Sequence, residues 1–263
     1  VFMIFDTHAH YLDARFDEDR QDVISSLHDN NVACAVEVSA GVDDFYDIIS
    51  LTEKYPFMYG TIGVHPSEVD KLNDEWLHKM EKLAANDKIV AIGEIGLDYH
   101  FDDDPEPTVQ KMWFKKQIEL ARKVNLPLII HSRDSAKDTL DILKETDAGK
   151  TGGVIHCFSY SKEIALECVD MGFYIGLDGP VTFKNGKKAK DVAKAVPIER
   201  LVVETDSPYM APDPIRGTRN FSGNLKYIIS EIASLRDIPY DDMEKILFDN
   251  ARALYRLEDK CLN

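Results

Sequence analysis

The sequence predicts an α/β fold, one (β/α)8 TIM barrel, with residues 1–263 forming a single domain. Three observations lead there. The length of 263 residues is close to the roughly 250 of a single α/β barrel. Eight short apolar runs alternate with helical patterns from end to end, which implies parallel pairing through right-handed crossovers. Ionisable side chains of the metal-binding type stand where most of those runs end. A closed barrel gathers all its strand ends on one rim, whereas an open sheet offers only a few at a switch point.

Short apolar runs bounded by turns read as buried parallel strands. The first, near 3–7, carries Met3-Ile4-Phe5-Asp6 and leads into His8 and His10, before a helical segment near 17–30. A strand near 32–39 and a helix near 42–54 follow. The strand near 58–64 leads to His65, and a helix near 73–86 comes next. The run near 89–95 closes on Glu94. Asp102 to Pro107 then reads as a solvated acidic loop. Within 108–124, Val109, Met112, Trp113, Ile118, Leu120, Ala121 and Val124 fall largely on one helical face. Asn125-Leu126-Pro127 stops that helix. The strand near 127–131 ends on His131, with a helix near 135–145 after it. The strand near 153–156 ends on His156, before a helix near 161–171. Strands near 173–177 and 201–205 flank a helix near 187–195, and the last strand leads into Glu204 and Asp206. Helices near 220–236 and 241–255 complete the pattern.

At 44% hydrophobic and 30% charged residues, the composition supports a sizeable core. No apolar stretch approaches the roughly 18 residues of a membrane span, and no signal-peptide pattern is present, so a cytoplasmic protein is expected. The formal charge of −16 disfavours broad electrostatic binding to duplex DNA, which relies on Lys and Arg neutralising phosphates. It leaves room for a local site where metal ions supply positive charge. Cys34, Cys157, Cys168 and Cys261 have no C-x-x-C spacing and read as reduced, buried thiols. Cys157, next to His156 on a strand, is expected to point away from it.

His8 and His10, at i and i+2 on a strand, point the same way and can share one ion. Strand-end groups of this kind cost desolvation free energy when unpaired. His8, His10, Glu94, His131, His156 and Asp206 exceed what one tetrahedral ion needs. Two divalent ions bridged by a carboxylate fit better, and Glu94, central in strand order, is the natural bridge. Imidazole with carboxylate suits Zn, Mn, Fe or Ni, with Mg also open. His28 and His78 read as surface residues of helices, and His100 as a position able to face substrate.

Phe5-Asp6-Thr7-His8-Ala9-His10, Gly63-Val64-His65-Pro66 and Gly93-Glu94-Ile95-Gly96-Leu97-Asp98-Tyr99 form one set of motifs. His131-Ser132-Arg133, His156-Cys157-Phe158-Ser159, Glu204-Thr205-Asp206-Ser207-Pro208-Tyr209 and Arg216-Gly217-x-Arg219-Asn220 continue it in order across nearly the whole chain. With these segments the sequence resembles the TatD family of metal-dependent deoxyribonucleases, within the amidohydrolase-like superfamily. The resemblance implies the barrel and a two-metal site. It assigns His8, His10, Glu94 and Asp206 to one ion and Glu94, His131 and His156 to the other. His65 and Glu204 become near-site residues in the catalytic group with Asp206 and Glu94.

The activity implied is cleavage of DNA phosphodiesters by a metal-activated hydroxide, with Asp206 holding an ion and orienting or deprotonating water. Arg133, Arg216 and Arg219 are candidate phosphate-binding residues, since Arg contacts phosphate bidentately. A repulsive long-range field and a pocket-shaped rim favour single-stranded or frayed DNA ends, with Tyr99, Tyr160, Tyr209 or Phe221 available to stack a base. A second reading keeps the metals and changes the bond, to an ester, amide or lactone of a small-molecule or aminoacyl substrate. A third is a non-hydrolytic binding protein that retains a structural metal site. Two departures from the family pattern touch loops at the mouth. Tyr160 stands where the family has Gly, and Phe221-Ser222-Gly223-Asn224 stands where it has a Glu-Pro pair.

Overall fold

The computed structural model describes residues 4–257. Met3, at the head of the first expected strand, and Cys261 lie outside them. Eight strands run in chain order around one sheet: β1 (Ile4–Ala9), β2 (Val32–Glu37), β3 (Met58–Ile62), β4 (Ile89–Asp98), β5 (Leu128–Arg133), β6 (Gly153–Ile155), β7 (Phe173–Leu177) and β8 (Leu201–Val203). Every neighbouring pair is parallel. The ring closes where Ala9 bridges Ser207. There the Asp206 N–H donates to His8 O at 2.9 Å and the His10 N–H to Ser207 O at 2.8 Å. Outside the strands lie α1 (Arg20–Ser25), α2 (Phe45–Lys54), α3 (Asp74–Leu83), α4 (Pro107–Val124), α5 (Ala136–Glu145), α6 (Lys162–Asp170), α7 (Lys187–Ala195), α8 (Leu225–Arg236) and α9 (Tyr240–Leu254).

β1 to β4 are buried along their whole length, which is why they read as continuous apolar runs rather than alternating ones. Alternation survives in the packing. Phe5, Val36, Tyr59, Val90, Ile129, Val154 and Val202 join one cluster with Phe248 and Tyr255. Side chains from seven strands can meet only inside the barrel. Their neighbours Ile4, Ala35, Ile89, Ile130 and Val203 belong instead to the larger cluster shared with the helices.

Several expected boundaries move. The helix expected near 17–30 shrinks to α1, and His28 sits in a short 3-10 turn. The segment near 220 opens with a 3-10 turn, and α8 begins at Leu225. Met112 is exposed, while Gln110 and Gln117 are buried on α4. β4 and β5 run on to Asp98 and Arg133, whereas β6 and β8 stop at Ile155 and Val203, before the groups they were expected to carry. Cys34 is disulfide-bonded, which overturns its reading as a reduced thiol; Cys157 and Cys168 are free. Among the described residues, no helix is long and apolar enough to cross a membrane.

Candidate active site

β1 delivers two imidazoles together: the Nε2 atoms of His8 and His10 face each other at 3.0 Å. His10 Nδ1 lies 2.9 Å from Val38 O. A carbonyl only accepts, so Nδ1 carries a proton and Nε2 is the ring nitrogen left to face inward. His8 is fully buried and its Nδ1 has no hydrogen-bond partner. Two buried ring nitrogens aimed at one point suit a shared cation.

Two buried carboxylates fix the surrounding main chain. Asp6 accepts from the N–H groups of His8 (3.2 Å) and Thr205 (3.0 Å) and from the Thr205 hydroxyl (2.6 Å), tying β1 to the exit of β8. Glu37 accepts from the N–H groups of Tyr11 (2.7 Å) and Leu12 (2.9 Å). Burial pushes Asp6 up to about 6 and Glu37 up to about 7. Sequence reasoning missed both; the available signal was an acid inside an apolar run.

Glu94 lies between the two walls. Its Oε2 is 3.3 Å from His8 Nε2 and 3.9 Å from His10 Nε2. Its Oε1 is 2.7 Å from His156 Nε2, 2.8 Å from His131 Nδ1 and 3.8 Å from His65 Nε2. Burial alone would raise this carboxyl, but His156, His131 and His8 outweigh it and hold it well below the usual range. Gly96 permits the approach of β4 to β5. It has φ +144°, and a Cβ there would lie 2.0 Å from His131 O.

His131 has a second carboxylate, Asp98, 3.0 Å from its Nε2. The Gln110 side chain on α4 holds the Asp98 main chain at 2.9 and 2.8 Å. Asp98 was missed because the fourth strand was expected to end at 95. Gln117 holds Val64 in the same way, at 2.9 and 3.1 Å, and so fixes the exit of β3 toward His65. His65 Nδ1 accepts from the Ser67 N–H at 3.2 Å, which leaves the ring proton on Nε2. Burial and the nearby His131 push His65 down to about 3, so it is neutral at pH 7.

Beyond β6 and β8 strand alternation no longer applies. Cys157 has φ +43° and is among the residues that line the cavity. Its thiol donates to Asp178 at 3.0 Å, and burial together with that carboxyl pushes the thiol well above its ordinary value. Glu204 does not share a face with Asp206. It is fully buried behind His156, with Oε1 3.4 Å from His156 Nδ1, and accepts from the Cys157 N–H. It therefore orients an imidazole from behind, as outer-shell carboxylates do in metal sites. Gly176 makes the room, since a Cβ there would lie 2.7 Å from the Glu204 carboxylate. Asp206, at φ +52°, stands on the cavity floor with Oδ1 3.4 Å from His10 Nε2 and 3.7 Å from His8 Nε2.

Three sets of donors converge within 4.8 Å: His8, Glu94 and His156; His8, His10 and Asp206; His65, Asp98 and His131. Imidazole and carboxylate in this density fit divalent transition metals or Mg. The residues present thus fit bound divalent metal, with Glu94 within 4 Å of the imidazoles of His8, His10, His65, His131 and His156. A cavity of about 760 Å3 opens above them, the size of a small-molecule site.

The family model described as "TatD related DNase" matches residues 5–256. The chain belongs to the TatD family of metal-dependent hydrolases. It is 43% identical to the uncharacterized metal-dependent hydrolase YabD of Bacillus subtilis, over 97% of this chain and all of that one. YcfH of Escherichia coli K12, also an uncharacterized metal-dependent hydrolase, is 33% identical over 98% of this chain and 97% of its own. The crystal structure of YjjV, a TatD homologue of E. coli K12, superposes with a TM-score of 0.91 at 30% identity, covering 97% of this chain and 98% of that one.

Around this TatD-family centre the expected substrate residues separate. Arg133 lines the cavity; Arg216 and Arg219 do not. The Arg216 guanidinium lies 4.0 Å from the centre of the Phe183 ring. Arg219 donates to both carboxylate oxygens of Asp19, at 2.8 and 2.6 Å. Of the four aromatics expected to stack a base, Tyr209 lines the cavity. Tyr99 donates to Asp138 at 2.9 Å, the Tyr160 hydroxyl lies 3.0 Å from that of Ser132, and Phe221 packs on the core. His100 is exposed, with Nδ1 2.9 Å from Asp134. His78 is exposed as expected, whereas His28 is half-buried against Phe57.

Proposed function

We propose that this TatD-family hydrolase cleaves DNA phosphodiester bonds with two divalent ions, taking single-stranded or frayed ends before intact duplex. The observation that carries the reading is the division of labour within Glu94, whose two oxygens face two different histidine pairs, as a bridging carboxylate does. The family description supports the choice of substrate. Bound there, divalent ions supply Lewis acidity toward a phosphoryl oxygen and lower the pKa of water to about 7.

The chain's own groups do the rest. His10 opposes burial and holds Asp206 below its ordinary value, so its carboxylate is ionised at neutral pH and takes the proton of the attacking water. The neutral His65 offers its Nε2–H to a non-bridging oxygen without adding charge. Arg133 on the cavity wall takes a flanking phosphate. The formal charge of −16 repels a polyanion at long range, so affinity rests on contacts within the mouth. A phosphodiester inside a regular duplex reaches that mouth only after its neighbours unpair.

The test is a matched pair of substrates, a blunt duplex and a single strand of the same sequence, at equal low salt with manganese or magnesium. Faster cleavage of the single strand is expected, and equal or faster cleavage of the blunt duplex contradicts the preference. Cleavage of neither, with hydrolysis of carboxyl esters instead, favours the reading of an ester, amide or lactone hydrolase.

A further inference from the structure

Among the described residues five large apolar side chains are exposed, and two of them, Phe101 at 57% and Tyr209 at 39%, stand on the lining of the active-site cavity. Each is paired with an arginine. The Arg133 guanidinium lies 5.0 Å from the centre of the Phe101 ring, and that of Arg15 lies 4.4 Å from the centre of the Tyr209 ring. Phe101 follows β4 and Arg133 ends β5; Tyr209 follows β8 and Arg15 follows β1. In a ring of eight strands closed between β8 and β1, the β4–β5 junction is diametrically opposite the β8–β1 junction. The two aromatic–guanidinium pairs therefore face each other across the mouth, with the ion-binding groups between and below them.

Both rings are held in place from one edge. Tyr209 donates its hydroxyl to Asp13 at 2.7 Å. Phe101 meets the edge of His100 at 4.8 Å between centroids, and His100 is pinned to Asp134 across the neighbouring loop at 2.9 Å. Neither Arg133 nor Arg15 makes a salt bridge among the described residues, so each guanidinium keeps its charge for an anion. A guanidinium sits over each ring while more than a third of each residue stays exposed, and an aromatic already contacted at one edge costs little further ordering when a base stacks on it.

We infer that Phe101 with Arg133, and Tyr209 with Arg15, form two posts that clamp a single-stranded nucleic acid across the mouth. One base stacks on each ring, the guanidinium beside it meets an adjacent phosphate, and the stretch of several nucleotides between the two stacked bases presents a phosphodiester to the floor. This rests on the phosphodiesterase reading above and adds a length requirement: an occupant must span both posts to gain both stacks. Duplex DNA, whose bases stack on one another, gains neither.

The experiment is binding, followed by fluorescence anisotropy of end-labelled oligothymidylates of two and eight nucleotides in chelator at low salt. Wild type should hold the octamer more tightly than the dimer. Phe101→Ala and Tyr209→Ala should each weaken the octamer roughly 5- to 150-fold, the range of one lost base stack, and Phe101→Trp should restore it. An octamer with abasic spacers throughout should bind wild type and both alanine variants equally weakly. Octamer affinity that is unchanged in both alanine variants, or octamer binding no tighter than dimer binding, overturns the clamp. Circular dichroism of these surface variants keeps unfolding out of the result. Hydrolysis of bis(p-nitrophenyl) phosphate by metal-loaded wild type separately tests the phosphodiesterase reading, because so small a substrate engages neither post.

Discussion

On the β8–β1 side of the site, His10 is aimed by the Val38 carbonyl, and Asp6 grips the main chain of both His8 and Thr205. On the β4–β6 side, His131 has a carboxylate at each ring nitrogen, Glu94 at 2.8 Å and Asp98 at 3.0 Å, and His156 lies between Glu94 and Glu204. The first wall is held by backbone hydrogen bonds that persist whatever the charge on the rings. The second is held by charge, so its geometry follows protonation and metal content.

Breaking the group that joins the walls should have the largest effect. Elemental analysis of reconstituted wild type should approach two divalent ions per chain, and Glu94→Ala should lose more than one of them, with turnover falling by roughly 10⁴-fold or more. One ion in wild type, unaffected by the substitution, removes the bridge. Next comes the backbone-held wall. Asp6→Ala strands buried donors of His8 and Thr205 and should cost about 2–4 kcal/mol in denaturant unfolding of metal-free protein; a loss below about 0.5 kcal/mol shows that the wall is not anchored there.

The charge-held wall should respond differently. Asp98→Ala should weaken the ion near His131 by about 10–100-fold in metal titrations, as lost outer-shell partners do, while leaving the chelated fold nearly as stable. Equal weakening of both ions would merge the two walls into one unit.

pH probes the crowding of acids behind the second wall. Burial and then the neighbouring Glu204 raise Asp178 to about 7 in the folded chain, above its ordinary 3.8. Such a group favours folding at low pH, and its contribution is lost as pH rises from about 4 through 7. Chelated Asp178→Asn should therefore gain stability over wild type between pH 5.5 and 8, by about 2 kcal/mol; parallel pH profiles of the two proteins refute the assignment. The smallest effect belongs to Arg219→Ala, which removes an exposed ion pair with Asp19 and should leave the denaturation midpoint nearly unchanged, without weakening oligonucleotide binding.

The same contrast explains what the sequence made legible. His8, His10, His131 and His156 announce themselves because an imidazole at the end of an apolar run is conspicuous, and barrel topology then brings them together. Asp98 was hidden by a strand that continues three residues past its apolar pattern, sustained by Gln110 from a helix. Glu204 looked like a partner of Asp206 because period-two alternation was extended past Val203, where the strand has already ended. Arg219 fitted a phosphate-binding motif, and only the fold shows Asp19 occupying its guanidinium. Phe101 sits beside an acidic loop with no periodicity to mark it, and its exposure at the mouth is a property of three dimensions.

The closing contact between Ala9 and Ser207 has a consequence for the life of the chain before it is finished. Asp6 and Thr205, which lock that contact, are 199 residues apart in sequence. Loop-closure entropy makes such distant pairings the costliest to form and places them late in folding. His8 and His10 are made before β2 but meet Asp206 only after β2 to β8 have all been made. A nascent or truncated chain therefore carries an incomplete metal centre, and hydrolytic competence arrives with the last seam of the barrel, so the same contact that completes the fold also switches on its chemistry.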